Sequence, residues 1–596
     1  MRAFTSRAKQ LLVSDGVAST SNATVVPSEN RTDDTLDLPP LPRDLHQHVV
    51  YARSMGRSFG EVAADLGLLK QSQVRELLRE QDDQGRPIEE IAVAHGMLSP
   101  EQIEYVSKAA TFTIHVDARH IAAPQFLTWT GDLAKRGIAA NIQKATAQEI
   151  ETLRQEQKEG AARQDHDLET LTLARRLVME SGAIGASDLA ILVRETHAEV
   201  QVRVKGDNRL ASAYTMRRDE GHALHRAICV GLATDKDSYL PNEFQNAQIH
   251  GSEFPGTGIS SARIIRGPAY PSDSGGAFLV ARIQYRRNAK RTVRSTRSLG
   301  LKSPHSPPGA LDIPGLTDLQ RELVERLVRL PMGVVLVTGP TGSGKTTTLY
   351  ELMKYQAQIA PDLRQVTIEN PPEYPMPWAI QLEAGNDDFR EYVRYALRMD
   401  PDIMLLGEIR KADEAVAVLQ AAMTGHFVWS TLHVTDPYKS LTRLEMLDMD
   451  RLSLPTLCDH ELLVALIAQR VVPRLCPNCK TPLHHARGKL PAFMHDALKT
   501  WGDLSNVHVR GPGCETCDGD GITGRQAVAE FVLTSPEFMS DVLKHGLATA
   551  RRNHRCRPGS DKSMLGNAMD LVLAGEVDPA AVHKHVHVLQ PKGDGV

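Results

Sequence analysis

Residues 333–353, GVVLVTGPTGSGKTTTLYELM, decide the fold of this chain. The first six residues form an apolar run typical of a buried strand, and the residues from Lys345 onward have the composition of a helix. Between them, Gly339, Gly344, Lys345 and Thr346 fit the pattern G-x-x-x-x-G-K-[ST]. A strand, a glycine-rich loop and a helix in this order predict an α/β fold with a phosphate-binding loop.

This loop contains the groups that bind a nucleotide. Its glycines let backbone N–H groups converge on phosphate oxygens, and the helix N-terminus favours an anion. Lys345 brings a positive charge to the β- and γ-phosphates, and the Thr346 hydroxyl is a ligand for Mg²⁺. The expected binding residues are Gly339, Pro340, Thr341, Gly342, Ser343, Gly344, Lys345, Thr346 and Thr347.

Two further strands are predicted to end in carboxylates. Residues 400–410, DPDIMLLGEIR, contain an apolar run followed by Glu408, and residues 364–374, RQVTIENPPEY, present Glu369 and Glu373 after their strand. In an α/β sheet the ligand crevice lies at the carboxyl ends of the strands. We expect these acids to bind metal or to orient water near the phosphates. The alternative for Glu408 is a solvated loop acid.

A fourth stretch, residues 424–436, TGHFVWSTLHVTD, places His426 and His433 on either side of an apolar run. The run predicts a buried strand with a histidine at each end. The residues alone leave metal ligation, base catalysis and a core position open. Metal ligation is disfavoured because neither histidine has a cysteine or a second histidine at ligand spacing.

Four of the seven cysteines form two Cys-x-x-Cys pairs, CPNC and CETC. Two such knuckles suffice for a closed tetrahedral site, so they predict a structural Zn²⁺ held by Cys476, Cys479, Cys514 and Cys517. Free thiols or redox activity are the alternatives.

Length and composition indicate a multidomain protein. A chain of 596 residues exceeds one core, and a formal net charge of only -4 gives no reason to expect nucleic acid. The apolar runs are too short for a membrane helix or a signal peptide, so we expect a cytoplasmic protein. Composition, the internal repeat, apolar patterns and the phosphate-loop motif together predict five segments: a disordered lead at 1–43, a helical repeat domain at 44–115, an α+β domain at 116–285, a basic linker at 286–310 and the nucleotide-binding domain at 311–596.

The repeat consists of SFGEVAADLGLLKQSQVRELLREQ from Ser58 and PIEEIAVAHGMLSPEQIEYV from Pro87. Each copy is predicted to form two helices joined at a glycine, Gly67 in the first and Gly96 in the second. Two such units predict a small helical domain.

The phosphate loop, TIENPPEY, DPDIMLLGEIR and TGHFVWSTLH resemble, in this order, the Walker A, Asp box, Walker B and His box of the ATPases of type II secretion and type IV pilus assembly. The repeat and residues 185–210 resemble the two N-terminal domains of this family, and the cysteine pairs resemble its zinc insertion. The resemblance implies a RecA-like P-loop ATPase domain with a preceding α+β domain, a small helical N-terminal domain and a Cys₄ zinc insertion.

The same resemblance implies a function. The chain is expected to be an ATP-hydrolysing homohexamer using ATP, Mg²⁺ and Zn²⁺, which acts on an inner-membrane platform protein and assembles pilin or pseudopilin. It is expected at the cytoplasmic face of the inner membrane with a recruiting protein, and the zinc insertion favours assembly over retraction. Both His426 and His433 are expected to sense phosphate. Arginines of the preceding domain are expected to complete the site in trans: Arg203 and Arg218, with Arg263 and Arg282 as further candidates.

The chain departs from the family pattern at two places. Asn370 replaces the aspartate of the Asp box, and Ala190 stands where the family has a histidine in Asp-Ile-His. Hydrolysis is expected to survive through Glu369 and Glu373. A nucleotide-switched scaffold that does not hydrolyse ATP, and a motor for a conjugative or DNA-transfer pilus, remain the alternatives.

Relatives bind cyclic di-GMP through an Arg-apolar-Gly opening of each repeat. Here the openings are Ser58-Phe59-Gly60 and Pro87-Ile88-Glu89, and Arg57 and Arg86 lie one residue too early. One residue turns a helical side chain by roughly 100°. We therefore expect a protein-docking domain that does not bind the dinucleotide.

Overall fold

The fold was analysed in a computed structural model, which describes residues 39, 41–53, 58–84, 86–107, 109–136, 138–234, 239–287, 298–385, 389–486 and 488–593. The chain divides into two compact units, 1–166 and 167–596, and each is described by itself. Within the described residues, no helix combines the length and apolar character of a membrane span. Residues 1–38 and 40 of the predicted lead and residues 288–297 of the predicted basic linker lie outside the described residues.

The predicted helical repeat is confirmed in the first unit. Its four helices are Phe59–Asp65, Gln71–Gln84, Ile88–Ala94 and Pro100–Ser107. Gly67 and Gly96 follow the first helix of each copy with φ of 72° and 66°. Glycine adopts this left-handed conformation without a Cβ clash, which ends the helix and turns the chain.

The first unit also contains a sheet that the helical prediction missed. Its strands are β1 (Val49–Arg53), β2 (Ala110–Asp117) and β3 (Ile138–Ala145), with β2 antiparallel to β1 and parallel to β3. The helix Pro124–Lys135 and the start of the helix Ala147–Ala183 lie beside this sheet. Ala139 of β3 belongs to the apolar core of the repeat helices. The boundary predicted at 115/116 therefore falls inside β2, and the domain is helical only in its repeat.

The second unit begins with an antiparallel sheet of seven strands. They are β4 (Asp188–Val193), β5 (Ala198–Val204), β6 (Asp207–Ala211), β7 (Gln245–His250), β8 (Ile259–Pro268), β9 (Ala277–Tyr285) and β10 (Leu301–Lys302), in the order β10-β6-β5-β4-β9-β8-β7. Strands β5 and β6 form a hairpin, which turns at Lys205 and Gly206 with positive φ. Helices Ala147–Ala183 and Arg218–Arg226 contribute buried side chains to this core.

The second sheet of this unit also has seven strands. They are β11 (Gly333–Thr338), β12 (Gln365–Glu369), β13 (Ile380–Glu383), β14 (Ile403–Ile409), β15 (Phe427–Leu432), β16 (Leu463–Leu475) and β19 (Ile522–Leu533), in the order β13-β12-β14-β15-β11-β16-β19. Every neighbouring pair is parallel except β16 and β19. The strands β11 and β15 are buried along their whole length, as expected for a parallel sheet covered on both faces.

Helices connect and cover this parallel sheet. They are Asp318–Leu327, Lys345–Ile359, Phe389–Ala396, Ala412–Met423, Lys439–Glu445, Leu454–Leu457, Pro536–Arg555, Met564–Leu573 and Pro579–His585. The insertion between β16 and β19 contains β17 (Thr481–Pro482), β18 (His508–Val509) and the helix Ala492–Lys499. The four predicted strands at β11, β12, β14 and β15 are therefore confirmed, and they share one sheet.

Candidate active site

The carboxyl ends of the parallel strands surround a cleft of about 960 Å³. Because β11 and β15 are parallel with Thr338 opposite Leu432, Gly339 and His433 leave the sheet side by side. Strand β14 pairs with the other edge of β15, with Glu408 opposite Thr431. The cleft is lined by residues from all of the sequence motifs: Thr341, Gly342, Ser343, Gly344, Lys345, Thr346, Thr347, Glu369, Asn370, Glu373, Glu408 and His433.

The glycine-rich loop is folded as a phosphate cradle. Gly344 caps the helix Lys345–Ile359 in the left-handed region with φ of 80°, which leaves the first N–H groups of the helix unpaired within it. Lys345 Nζ donates to the carbonyls of Gly339 and Pro340, at 3.0 and 3.2 Å. Partial burial lowers the pKa of Lys345, while the carboxylate of Glu408 opposes that shift. The loop therefore fits a bound triphosphate, with Thr346 beside it to supply a hydroxyl to Mg²⁺.

Gln469 holds the loop in place, and sequence analysis missed it. Its side-chain amide donates to the Ser343 carbonyl at 2.8 Å and accepts from the Thr348 hydroxyl at 2.9 Å. Gln469 lies in the middle of β16, where the apolar sequence is interrupted by Gln469 and Arg470. A buried polar pair in a core strand next to the loop strand was the available signal.

Glu408 lies near the end of β14, at a register shift between Leu406 and Glu408. Its Oε1 lies 2.9 Å from His433 Nε2. Its Oε2 accepts from Arg410 Nε at 2.9 Å and Nη2 at 2.7 Å. Hydrogen bonding to Glu408 raises the pKa of Arg410. The carboxylate is thus held from both sides in one orientation, as a group that positions water must be.

Glu369 and Glu373 enter the cleft beyond β12. Glu369 is 8% exposed, and its Oε1 accepts from the Thr367 hydroxyl at 2.7 Å and the Gln381 amide at 3.2 Å. Burial raises the pKa of Glu369, and these two hydrogen bonds counteract the shift. Burial disfavours the charged form of a carboxylate, and a nearby cation offsets this cost. Glu369 is therefore suited to a site near Mg²⁺.

The two histidines of the fourth motif lie at opposite ends of strand β15. His426 precedes β15, and its Nδ1 lies 2.9 Å from the Ala421 carbonyl and 3.1 Å from the Thr424 hydroxyl. Six strand residues at about 3.3 Å each separate it from the cleft by roughly 20 Å. The expectation that both histidines sense phosphate is therefore corrected: His433 lines the cleft and His426 does not.

Arg203 is held by acidic residues of its own chain. Its Nη2 lies 2.6 Å from Asp402 Oδ2, and its Nε contacts Asp400. Arg282 joins the same cluster, with Nη2 at 2.7 Å from Asp400 Oδ1 and Nε at 3.0 Å from Asp188 Oδ1. Burial lowers the pKa of Arg203, but hydrogen bonds and charge from these aspartates outweigh it and raise the pKa.

The remaining candidate arginines lie elsewhere on the preceding domain. Arg218 begins its helix, and its Nη2 donates to the Ser274 carbonyl. Arg263 is an exposed residue of β8, opposite Arg282 of β9. In the described part of this single chain, none of the four candidates lines the cleft, whereas Arg410 and Arg525 do. Sequence analysis missed both of these, although Arg410 directly follows Glu408-Ile409.

The four predicted zinc ligands converge at the ends of the antiparallel pair β16 and β19. The Sγ distances are 3.7 Å for Cys476–Cys514, 3.8 Å for Cys479–Cys517 and 3.7 Å for Cys514–Cys517. Four sulfurs at about 2.3 Å from a tetrahedral Zn²⁺ are about 3.8 Å apart, whereas a disulfide needs about 2.05 Å. The geometry therefore fits Zn²⁺ and does not fit a disulfide.

Backbone groups shape this cysteine site. The N–H groups of Cys514 and Gly521 donate to Cys517 Sγ at 3.2 and 3.1 Å, which stabilises a thiolate. A Cβ on Gly511 would lie 1.7 Å from the Cys479 carbonyl oxygen. Glycine at 511 is thus required for the two knuckles to meet.

Comparison with known proteins finds relatives of the segment that contains these features. Residues 302–582 match the model described as "Type II/IV secretion system protein". The putative type II secretion system protein E of Escherichia coli K12 is 33% identical over 267 residues, 44% of this chain and 51% of that protein. The type IV pilus assembly ATPase PilB of Thermus thermophilus is 32% identical over 259 residues, 42% of this chain and 28% of that protein.

A solved structure, the pilus retraction motor PilT with bound ADP, is 20% identical, with a TM-score of 0.34 over 69% of this chain and 96% of that chain. The chain spans about half the length or less of these curated relatives, 51% and 28%. The matched segment contains the whole cleft and the four cysteines. At 302–582 the chain therefore matches the type II/IV secretion system protein family.

Proposed function

We propose that this chain is a cytoplasmic ATPase motor that hydrolyses ATP to assemble a type IV pilus or a type II secretion pseudopilus. One observation carries the proposal: Lys345, Glu369, Glu373, Glu408 and His433 line a single cleft at the carboxyl edge of the parallel sheet. A phosphate cradle with an oriented, hydrogen-bonded carboxylate across from it is the arrangement that phosphoryl transfer to water requires.

Each residue of the cleft has a separate role in this proposal. Lys345 and the loop N–H groups hold the phosphates, and Thr346 holds Mg²⁺, which neutralises charge on the β- and γ-phosphates when bound. Glu408 orients the attacking water, and His433 fixes Glu408 through the 2.9 Å contact. Glu369 and Glu373 supply carboxylates for the metal or its waters. Asn370 keeps the shape of an aspartate without its charge, so the two glutamates carry that function.

A homohexamer completes the proposal, since charge that develops on the transferred phosphoryl group needs a positive partner. Arg218 is the stronger of the two main candidates to act on a neighbouring subunit. Its half-buried side chain is anchored by the Ser274 carbonyl, whereas Arg203 already faces two aspartates of its own chain. In this role Arg203 joins the antiparallel sheet to the loop before β14.

The partners are proposed from the resemblance and from the names of the relatives. They are an inner-membrane platform protein, a recruiting protein at the cytoplasmic face of that membrane, and pilin or pseudopilin as the assembled subunit. The sulfur geometry supports Zn²⁺ as a structural ion of this motor.

Genetic complementation tests this function. Deleting the gene should abolish the surface pili or the secreted proteins of the source organism, and the intact gene should restore them. A gene that encodes Glu408→Gln should not restore them, although the protein accumulates to the same level. Restoration by Glu408→Gln would favour a nucleotide-switched scaffold. Loss of DNA transfer alone would favour the conjugative motor.

A further inference from the structure

Strands β1 and β2 of the first unit bring His48 and Asp117 together. The antiparallel register pairs Val49 with Val116, so His48 and Asp117 face each other one residue further along. The Asp117 N–H donates to the His48 carbonyl at 2.8 Å, which extends the ladder to this pair. Both residues are therefore fixed by backbone pairing.

His120 joins them from the turn after β2. Its N–H donates to the Asp117 carbonyl at 2.7 Å, which folds the turn back over the strand end. The rings of His48 and His120 stack with centroids 3.8 Å apart and an angle of 10° between planes. A ligand atom from each of His48, Asp117 and His120 lies within 4.8 Å of the other two.

The hydrogen-bonding capacity of this cluster is incompletely used. Among the described residues, His120 Nδ1 is buried and has no hydrogen-bond partner. His48 Nδ1 lies 3.9 Å from Asp117 Oδ2, too far for a hydrogen bond. Asp117 is 3% exposed, so its carboxylate has little access to water. Buried polar atoms normally have partners, so the unpartnered His120 Nδ1 beside a buried carboxylate leaves room for a further ligand.

Arg119 provides the main competing contact. Its Nε and Nη2 donate to Asp117 Oδ1 and Oδ2 at 3.0 and 2.6 Å, and its backbone N–H donates to Oδ1 at 3.0 Å. The Arg119 side chain is 73% exposed and can move outward. Each carboxylate oxygen has two lone pairs, so Oδ2 can bind a cation while Oδ1 keeps the backbone N–H.

We propose that His48, Asp117 and His120 form a binding site for a divalent transition-metal ion such as Zn²⁺, separate from the cysteine site. Two imidazoles and a carboxylate are ligands that such ions prefer, whereas Mg²⁺ and Ca²⁺ favour oxygen alone. Ligand atoms about 2.1 Å from a tetrahedral ion are about 3.4 Å apart. The distance from His48 Nδ1 to Asp117 Oδ2, 3.9 Å, is close to this value. Water occupies the fourth position, and the ion ties the start of β1 to the turn after β2.

Titration of the purified full-length chain with Co²⁺ tests this site. After dialysis against metal-free buffer, the chain should bind about one added Co²⁺ with micromolar affinity and weak visible absorption. A nitrogen and oxygen site gives no thiolate charge-transfer band, which distinguishes this ion from one at the cysteines. Bound metal should also raise the thermal midpoint, because it binds the folded state.

Variants assign the ligands. His48→Ala and His120→Ala should each lose the added Co²⁺, whereas His95→Ala should keep it, since His95 pairs with Glu80 outside the cluster. Circular dichroism of the metal-free proteins checks that each variant is folded. The proposal is wrong if the wild-type chain binds no added ion, if a charge-transfer band appears, or if folded His48→Ala and His120→Ala proteins keep the ion.

Discussion

His433 and Glu408 are joined across neighbouring strands: His433 Nε2 lies 2.9 Å from Glu408 Oε1. Glu408 belongs to β14 and His433 follows β15, and the two strands are parallel. Since Arg410 binds the other carboxylate oxygen, the orientation of Glu408 is set from two sides. This relationship turns two separate sequence motifs into one functional unit.

Removing His433 should impair turnover more than nucleotide binding. We expect His433→Ala to lower kcat by about 10- to 100-fold with nucleotide affinity within about 3-fold of wild type, because Glu408 loses its orienting partner. His426→Ala is the matched control. Its kcat should stay within about 2-fold of wild type, because His426 lies at the other end of β15, away from the cleft. Equal losses in both variants would contradict the assignment to His433. Steady-state phosphate release and nucleotide titration give the two constants.

The cysteine cluster should retain zinc through purification. We expect about one Zn²⁺ per chain after dialysis, because four thiolates form a closed tetrahedral site. Cys514→Ser should lose that ion and unfold at a lower temperature, whereas Cys556→Ser, at an exposed free cysteine, should retain it. Metal analysis of the reduced proteins measures the content. Zinc-free wild-type protein would contradict the prediction.

Stability of the second unit should fall in mild acid through His225. Burial lowers the pKa of its ring from 6.5 to about 3, although the Ile191 carbonyl partly opposes the shift, and Arg266 and His222 add to it. The His225 side chain of the unfolded chain binds a proton near pH 6.5, whereas the buried ring of the folded chain does not. The contribution of the neutral His225 ring to stability is therefore complete above pH 6.5 and decreases as the pH falls towards 3.

The size of this effect is measurable. Below pH 6.5, His225 should reduce the free energy of unfolding by up to about 1.4 kcal/mol per pH unit. His225→Gln keeps a donor for the Ile191 carbonyl at 3.0 Å and removes the titration, so its thermal midpoint should depend less on pH. Identical pH slopes between about pH 5 and 7 for the variant and wild type would show that the prediction is wrong.

The helical repeat should not bind cyclic di-GMP. At the first opening, a Cβ on Gly60 would lie 2.8 Å from Val74 Cγ1, so this glycine serves helix packing. At the second opening, Arg86 faces Glu90 at 3.5 Å, and Glu89 adds a negative charge. Arg57 lies outside the described residues. Calorimetric titration of the full-length chain should detect no binding, and micromolar affinity would refute the docking interpretation.

The sequence predicted those parts of the site that depend on local pattern. Local spacing in the sequence determines how these groups are arranged in space, so it identifies Gly339 to Thr346, Glu408 and the four cysteines. Gln469 was missed because its role depends on β16 lying beside β11, a pairing between segments about 130 residues apart. His426 was assigned wrongly because the strand between the histidines spans the sheet, and adjacency in a motif does not give adjacency in space.

In the first unit too, the sequence predicted local structure but not the pairing of distant strands. The repeat glycines predicted its helices, but the pairing of β1 with β2 joins residues more than about 50 positions apart and closes a sheet against those helices. The His48, Asp117 and His120 cluster arises from this pairing. No spacing rule for metal ligands identifies it from the sequence.

The central claim is that this cleft hydrolyses ATP, and phosphate release by the purified full-length chain tests it most directly. The wild-type chain should release phosphate from MgATP. Glu408→Gln should bind ATP normally and lower the rate by about 100-fold or more, and Lys345→Ala should lose binding. Wild-type protein that binds ATP and releases no phosphate above the Glu408→Gln rate, under conditions in which it forms its oligomer, would contradict the account.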